Sequence, residues 1–183
     1  MTILHIDSSI SGEQSASRAI TRSIVDQLRI ADGGGDVIVR DLVSEPLPHL
    51  TLDAFADSSV LDEFLAADTV VIGAPMYNFT LPSQLKAWLD RILVAGKTFR
   101  YTENGPEGLV KNKRVIIALA RGGFYGEGSA AAGLEHLESY LRGLFNFIGI
   151  EPEFVLAEGL AVSPEAREQS LNKALGETVR LAA

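Results

Sequence analysis

The sequence lacks several residue types and patterns, and each absence excludes a class of protein. None of its 183 residues is cysteine, which excludes disulfides, thiolate metal sites, iron–sulfur clusters and a cysteine nucleophile and fits a reducing compartment. Basic residues number 16 against 24 acidic ones, so the net charge is −8 and no basic footprint for nucleic acid is visible. No apolar run approaches the roughly 20 residues of a membrane span, and the N-terminus lacks the order of a signal peptide. We therefore expect a cytoplasmic protein that binds neither nucleic acid nor membrane.

Side chains suited to catalysis are also scarce. The three histidines, His5, His49 and His136, are scattered along the chain and match no metal-ligand spacing. The G-x-S-x-G motif of a serine nucleophile is absent. We expect no metal site and no catalytic side chain, which leaves a bound cofactor as the carrier of the chemistry.

Apolar runs alternate with helical stretches along the whole chain. A hydrophobic fraction of 46% and this length predict one globular domain, residues 1–183. Near-continuous Val and Ile runs are typical of parallel strands covered on both faces. The predicted strands are Thr2–Asp7, Asp36–Arg40, Thr69–Gly73, Arg114–Leu119 and Glu153–Ala157; the predicted helices are about Arg18–Ile30, Leu61–Ala67, Ser83–Val94, Leu134–Phe147 and Pro164–Leu181.

This alternation predicts an α/β fold of the doubly wound, three-layer type. Five strands on a chain of this length favour a flavodoxin-like parallel sheet with strand order 2-1-3-4-5. A ligand of such a sheet binds beyond the carboxyl ends of the strands, at the switch point between the first and third strands. The loops after Asp7, Gly73 and Leu119 are therefore the candidate binding loops.

The first candidate loop, 8–18, contains five serines between a strand end and a helix start. Hydroxyls and free backbone N–H groups at a helix N-terminus form an anion site, and Arg18 supplies possible charge. A plain helix N-cap by Ser15 or Ser17 is the alternative. The loop has neither the G-x-G-x-x-G motif nor the P-loop lysine, so it is less typical of a dinucleotide-binding or a nucleoside-triphosphate-binding loop.

The other two candidate loops carry planar and flexible groups. Residues 74–82 combine apolar and aromatic side chains with Asn78, which suits a flat heteroaromatic ring, or else ordinary packing under a loop. Residues 120–128 are glycine-rich, which allows a close backbone approach to a ligand, and Arg121 could stabilise negative charge on a ring. An ordinary glycine-rich turn with an exposed arginine is the alternative.

The longest segment predicted as irregular runs from Gly96 to Lys111. Loops of this length in a compact domain are usually functional or disordered. This one carries two aromatic residues and an arginine, so we favour a functional loop.

Three motifs resemble the FMN-dependent NADH azoreductase family, also described as NADH:quinone oxidoreductases. They are Ala-Pro-Met-Tyr-Asn-Phe at 74–79, the twelve residues 98–109 and Arg-Gly-Gly at 121–123. Ser8-Ser9 with Ser15-Ala16-Ser17 resembles the phosphate loop of that family, and 145–150 and 157–159 also match. The resemblance implies a flavodoxin-like homodimer with one FMN per subunit. It further implies a ping-pong cycle in which NADH or NADPH reduces FMN and a quinone or azo compound accepts the electrons.

Carried over by position, the resemblance implies two groups of site residues. The FMN-binding residues would be Ser9, Ser15, Ala16, Ser17, Pro75, Met76, Tyr77, Asn78, Phe79, Ala120, Arg121, Gly122 and Gly123. The walls of the substrate pocket, some of them from the partner subunit, would be Tyr101, Phe124, Tyr125 and Phe147.

The sequence departs from the family pattern in three places. Ala120 stands where serine is common, the segment before the third strand is short, and residues 126–133 are rich in glycine and alanine. These departures concern flavin hydrogen bonding, the substrate mouth and a lid. Two other functions stay open: a one-electron flavodoxin-type carrier, and a flavin-free doubly wound signalling or scaffold domain.

Overall fold

A five-stranded parallel sheet with the order β2-β1-β3-β6-β7 forms the centre of the protein. The computed structural model describes residues 1–182 and, apart from positions 55 and 182, their side chains. The sheet strands are β1 (Thr2–Asp7), β2 (Asp36–Asp41), β3 (Thr69–Pro75), β6 (Arg114–Ala120) and β7 (Glu153–Ala157); β4 (Phe99–Thr102) and β5 (Gly105–Gly108) form a separate hairpin. The helices are α1 (Ala16–Ala31), α2 (Ser59–Ala66), α3 (Ser83–Ile92), α4 (Glu138–Phe147) and α5 (Pro164–Thr178).

The observed order is the predicted 2-1-3-4-5 order once the two hairpin strands are left out of the count. Successive residues of each strand point to opposite faces, so alternate residues enter different apolar clusters. Leu4 and Ile72 join the cluster under α2, α3 and α4, whereas Ile3 and Val71 join the cluster under α1 and α5. The flavodoxin-like, three-layer architecture is therefore confirmed.

One strand differs from the burial that its apolar sequence predicts. β2 pairs only with β1 and lies at the edge of the sheet, where Val39 is 63% exposed. The expectation of cover on both faces holds for β3, whose seven residues are all buried, and is wrong for β2.

The helix ends shift from their predicted positions because side chains cap them. Ser15 accepts a hydrogen bond from the backbone N–H of Arg18, so α1 begins two residues earlier than predicted. Thr98 donates to the carbonyl of Ile92 and accepts from the N–H of Val94, which ends α3 early. Three further helix ends differ from the predicted bounds by two residues or more, namely the start of α2, the start of α4 and the end of α5, and the ends of α1 and α2 differ by one residue.

The segment predicted as a long irregular loop contains the β4–β5 hairpin. Gly108 in β5 packs on the end of α4 so closely that a Cβ there would lie 2.1 Å from the backbone nitrogen of Gly149. The N–H of Val110 donates to the carbonyl of Ile148 at the same junction. Only a glycine permits this approach, which docks the hairpin on α4.

Candidate functional site

The loops after β1, β3 and β6 meet at the carboxyl edge of the sheet, as the switch-point rule predicts. The hydroxyls of Ser9 and Tyr77 lie 3.2 Å apart and join the first loop to the second. The N–H of Met76 donates to the carbonyl of Ala120 at 2.8 Å and joins the second loop to the third. A cavity of about 290 Å³ opens between the loops, lined by Ser9, Ser11, Gln14, Ser15, Ala16, Pro75, Met76, Tyr77, Ala120, Gly122, Leu160, Ala161 and Arg167.

The serine-rich end of this cavity carries the donors of an anion site. Ser15 is the N-cap of α1, and its hydroxyl lies 3.1 Å from that of Ser17. The first N–H groups of the helix, those of Ala16 and Ser17, have no acceptor within α1. Ser15 therefore caps the helix, which was the alternative that the sequence left open, and it also lines the cavity.

Arg18 lies behind the serine loop and holds its backbone. Its guanidinium donates to the carbonyl of Ser9 at 3.0 Å, to Asp7 at 3.3 Å and to Asp41 at 2.8 Å. The bond from Arg18 is the main cause that lowers the pKa of the Asp41 carboxyl and, reciprocally, the bond to Asp41 raises the pKa of Arg18. Since Arg18 is 9% exposed and bound to two carboxylates, it positions the loop, and its charge is already neutralised.

The turn after β3 is a two-residue reverse turn with an uncommon backbone. Asn78 and Phe79 have φ angles of 48° and 73°, and Tyr77 and Thr80 exchange backbone hydrogen bonds across them. Two successive residues with positive φ are typical of a type I′ turn, which favours asparagine and glycine. A phenylalanine there is strained, and such strain is concentrated at functional sites.

The strained turn is anchored to the segment before α4 and to the third loop. The N–H of His136 donates to the carbonyl of Phe79 at 3.1 Å. The ring of Phe79 packs edge-on against Tyr125, with centroids 6.2 Å apart. Asn78 lines a second cavity of about 620 Å³, which shares Met76 and Tyr77 with the first. The turn thus lies where the two cavities adjoin. It places the aromatic ring of Tyr77 and the amide of Asn78 side by side.

Arg121, which the sequence predicts beside a flavin ring, has its guanidinium among three glutamates. It is 1% exposed, and its guanidinium lies 3.1 Å from Glu135, 2.9 Å from Glu138 and 3.7 Å from Glu158. Arg121, Glu135 and Glu138 line a separate cavity of about 510 Å³, together with Tyr125. The backbone N–H of Arg121 donates to the carbonyl of Ala157 in the neighbouring strand β7.

Glu135 lies just before the start of α4 and is one of the three glutamates around Arg121. Burial by itself raises the pKa of Glu135, but N–H donors from Leu137, Glu138 and Ser139 and the charge of Arg121 outweigh burial and lower it. Glu135 is therefore held ionised as a helix cap.

The remaining predicted residues fall into two groups. Gly123 lies against Tyr125, since a Cβ on it would be 3.3 Å from that ring, and Phe124 is 53% exposed and covers Gly159. Tyr101 and Phe147 instead contact Phe99 at the hairpin, with centroid distances of 5.6 and 4.7 Å. Tyr101 and Phe147 therefore do not line the cavity between the three loops.

Sequence reasoning did not identify the fourth wall of the cavity, formed by Leu160, Ala161 and Arg167. These residues lie in the loop after β7 and in α5. The signal was available, because β7 neighbours β6 and its loop must lie at the same edge of the sheet.

Comparison with known proteins shows the family of this chain. A family model described as having a flavodoxin-like fold matches residues 1–181. The FMN-dependent NADH:quinone oxidoreductase 2 of Bradyrhizobium diazoefficiens is 53% identical over 201 residues, with full coverage of both chains. The chain belongs to the FMN-dependent NADH:quinone oxidoreductase family. A relative of the same name without the numeral, from Methylorubrum extorquens strain PA1, is 52% identical over 202 residues, again over the whole of both chains.

Solved structures give the same result for the fold. An azoreductase from Bacillus anthracis strain Sterne superposes with a TM-score of 0.91 at 30% identity, over 100% of this chain and 98% of that one. An FMN-dependent NADH-azoreductase from Bacillus anthracis strain Ames Ancestor, in complex with FMN, gives 0.84 at 25% identity over 100% of both chains. Membership of the family thus rests on relatives that match along the entire length.

Two further features of residues 1–182 bear on the site. No helix in that range is long and apolar enough to cross a membrane. Nor do His, Asp and Glu side chains in that range form a group that could hold a metal ion.

Proposed function

We propose that this protein is an FMN-dependent NAD(P)H oxidoreductase that reduces quinones and aromatic azo compounds. One observation carries the proposal: at the switch point, a cavity with serine hydroxyls and a helix N-terminus adjoins a second cavity lined by Met76, Tyr77 and Asn78. FMN has a phosphate, a chain of hydroxyls and a flat ring, and it needs these surroundings in this order. The names of the relatives support the same cofactor and reaction.

The residues of the cavity fit the phosphate of FMN. Ser9, Ser15 and Ser17 offer hydroxyl donors, and the N-terminus of α1 offers backbone N–H groups in the geometry that binds phosphate. Arg18 keeps the carbonyl of Ser9 turned towards itself, so the carbonyl does not oppose the anion.

The residues of the second and third loops fit the ring and the ribityl chain. Asn78 can donate to and accept from the polar edge of a flavin, and Met76 and Tyr77 supply apolar contact. Gly122 leaves the backbone free to approach the ring, since the nearest atom to a Cβ there is Ala161 at 3.4 Å. Ala120 offers no hydroxyl, so the third loop binds through its backbone. We assign Phe79, Gly123, Phe124 and Tyr125 to the walls around the ring.

When bound, FMN accepts a hydride from the nicotinamide and gives two electrons to the acceptor. The protein's part is to bind and orient reactants and to exclude water, and no side chain is assigned a catalytic role. Phe79 and Tyr125, whose rings pack edge to face, offer apolar contacts for nicotinamide and acceptor in turn.

The working unit we propose is a homodimer of single-domain subunits in the cytoplasm. Tyr101 is 75% exposed on the hairpin, where it is available to a second subunit, and it contacts Phe99, which also contacts Phe147. We assign Tyr101 and Phe147 to a substrate pocket that the partner completes. Light scattering on the eluting protein tests the dimer, and a monomeric mass would remove this assignment.

Rapid mixing of the FMN-loaded protein with NADH under anaerobic conditions tests the reaction. We expect the flavin absorbance to bleach within the dead time or shortly after, and to return when a quinone or an azo dye is added. The same assay with NADPH decides the preferred nicotinamide. A flavin that dithionite reduces and NADH does not would favour the one-electron carrier, and a protein that binds no FMN would favour a scaffold domain.

A further inference from the structure

Arg167 lies at the serine-rich end of the cavity, one turn into α5. The helix begins after its N-cap Ser163, and the N–H of Arg167 donates to the carbonyl of Ser163. The guanidinium reaches across to the serine loop, where it donates to the carbonyl of Gln14 at 2.6 Å. Arg167 also lines the cavity together with Ser9, Ser15 and Ala16. A cation near the C-terminal end of the chain thus lies beside the serine loop, which is near its N-terminal end.

The other arginines near the cavity are already paired with carboxylates. Arg18 is bound to Asp7 and Asp41, and Arg121 to a cluster of glutamates. Arg167 differs, because within residues 1–182 its guanidinium contacts a neutral carbonyl and no carboxylate at ion-pair distance. Its charge is the one that remains available to a ligand.

A phosphate at this site requires such a charge. A phosphate monoester carries about −1.5 to −2 charges at pH 7, whereas a helix N-terminus supplies about half of one positive charge. The serine hydroxyls are neutral, and the chain as a whole has a net charge of −8. The donors of the serine loop alone leave most of the phosphate charge uncompensated.

We infer that Arg167 is the cation that binds the cofactor phosphate and makes this site select FMN over riboflavin. The inference rests on the proposed function, since it presumes that FMN is the ligand. Arginine suits the role because its planar fork can bind two phosphate oxygens, or one phosphate oxygen and the carbonyl of Gln14. Riboflavin, which has no phosphate, gains nothing from this residue.

Titration of apoprotein with FMN and with riboflavin, followed by flavin fluorescence, tests the inference on Arg167→Gln and Arg167→Lys. A charge-assisted hydrogen bond contributes about 1.5–3 kcal/mol, so we expect the Kd for FMN to rise about tenfold to a hundredfold in Arg167→Gln. The Kd for riboflavin should stay within about twofold, and lysine should restore part of the FMN affinity. Raising the salt concentration should weaken FMN binding more in the wild type than in Arg167→Gln.

Arg22→Gln is the matched control. Arg22 lies in α1, and its guanidinium makes two bonds of 3.0 Å to Glu13 in the serine loop. The same charge is removed near the same loop, but from an arginine that is already paired, so both flavins should bind as in the wild type.

The outcomes separate the inference from the proposed function. If the Kd values for FMN and riboflavin rose equally in both Arg167 variants, the inference would be overturned, because Arg167 would then support the fold of the site and not the phosphate. Unchanged FMN affinity would overturn it by showing that the phosphate is held without Arg167. In both cases a wild type that binds FMN and is reduced by NADH leaves the proposed function standing. A wild type that binds neither flavin would overturn both.

Discussion

At the phosphate end of the cavity, a regular helix start presents serine hydroxyls and N–H groups, and Arg18 holds the loop from behind. At the ring end, a turn with positive φ at Asn78 and Phe79 lies beside Arg121 and its glutamates. The donors of the first region come from one loop and the helix that follows it, although Asp41 and Arg167 contact them from elsewhere in the chain. The second region brings together the turn after β3, the loop after β6 and Glu158, so it has no comparable local unit.

Removing the charge at the centre of the ring end should have the largest effect. In Arg121→Met the carboxylates of Glu135, Glu138 and Glu158 lose the cation between them, and loss of one partner of a buried ion pair costs about 3–5 kcal/mol. Urea unfolding of the flavin-free protein measures the loss. Arg142→Met is the control, since Arg142 pairs with Glu138 from a side chain that is 43% exposed, and such pairs contribute about 0–1 kcal/mol. Equal costs for the two variants would contradict the central role of Arg121.

The same cluster should give the protein a specific pH dependence. Because the pKa of Glu135 is lower in the folded protein than in the unfolded chain, its contribution is complete above the ordinary glutamate pKa of about 4.3. That contribution is lost as the pH falls through the lowered value. Unfolding of wild type and Glu135→Gln from pH 7 to pH 3 should show the largest difference at pH 7 and a shrinking one below pH 4. A constant difference would mean that ionisation of Glu135 contributes nothing.

At the phosphate end, removal of a helix cap should have a moderate effect. Ser15→Ala removes the acceptor for the N–H of Arg18 and should cost about 1 kcal/mol, with weaker FMN binding. Ser163→Ala removes the equivalent cap of α5, which accepts from Ala166. We expect a similar loss of stability in the urea unfolding of both variants but a larger rise in the FMN Kd for Ser15→Ala. Equal FMN affinities would reduce Ser15 to a structural cap.

Relief of strain in the turn should have the smallest effect on stability and the opposite sign. Phe79→Gly produces Asn-Gly, the preferred type I′ sequence, and should raise the unfolding free energy by up to about 1 kcal/mol. Loss of the ring contact with Tyr125 should at the same time weaken FMN binding. Asn112→Gly is the control, because Asn112 also has a positive φ, 56°, but lies outside the turn. The Asn112→Gly variant should be more stable than the wild type and should bind FMN with the same affinity. A Phe79→Gly variant that is less stable than the wild type would contradict the assignment of strain.

The two ends of the cavity also differ in how far the sequence predicts them. The serine loop was predictable because a strand, a serine cluster and a helix follow one another along the chain. The partners of Arg18 and Arg121 were not, because Asp41, Glu135 and Glu158 come close only in the folded protein. The sequence did not predict the hairpin, because the contact of Gly108 with Gly149 that docks it on α4 forms only in the folded protein. The alternation of strands and helices, in contrast, follows from the apolar pattern, and the strand order from the number of strands and the chain length.

A crystal structure of the FMN complex is the most direct test of the site. We predict that the phosphate lies against the N-terminus of α1, within hydrogen-bond distance of the Ser15 and Ser17 region and of Arg167, and that the ring edge faces Asn78. FMN bound with its phosphate in the cavity of Arg121 and Glu135, or outside the carboxyl edge of the sheet, would contradict this account.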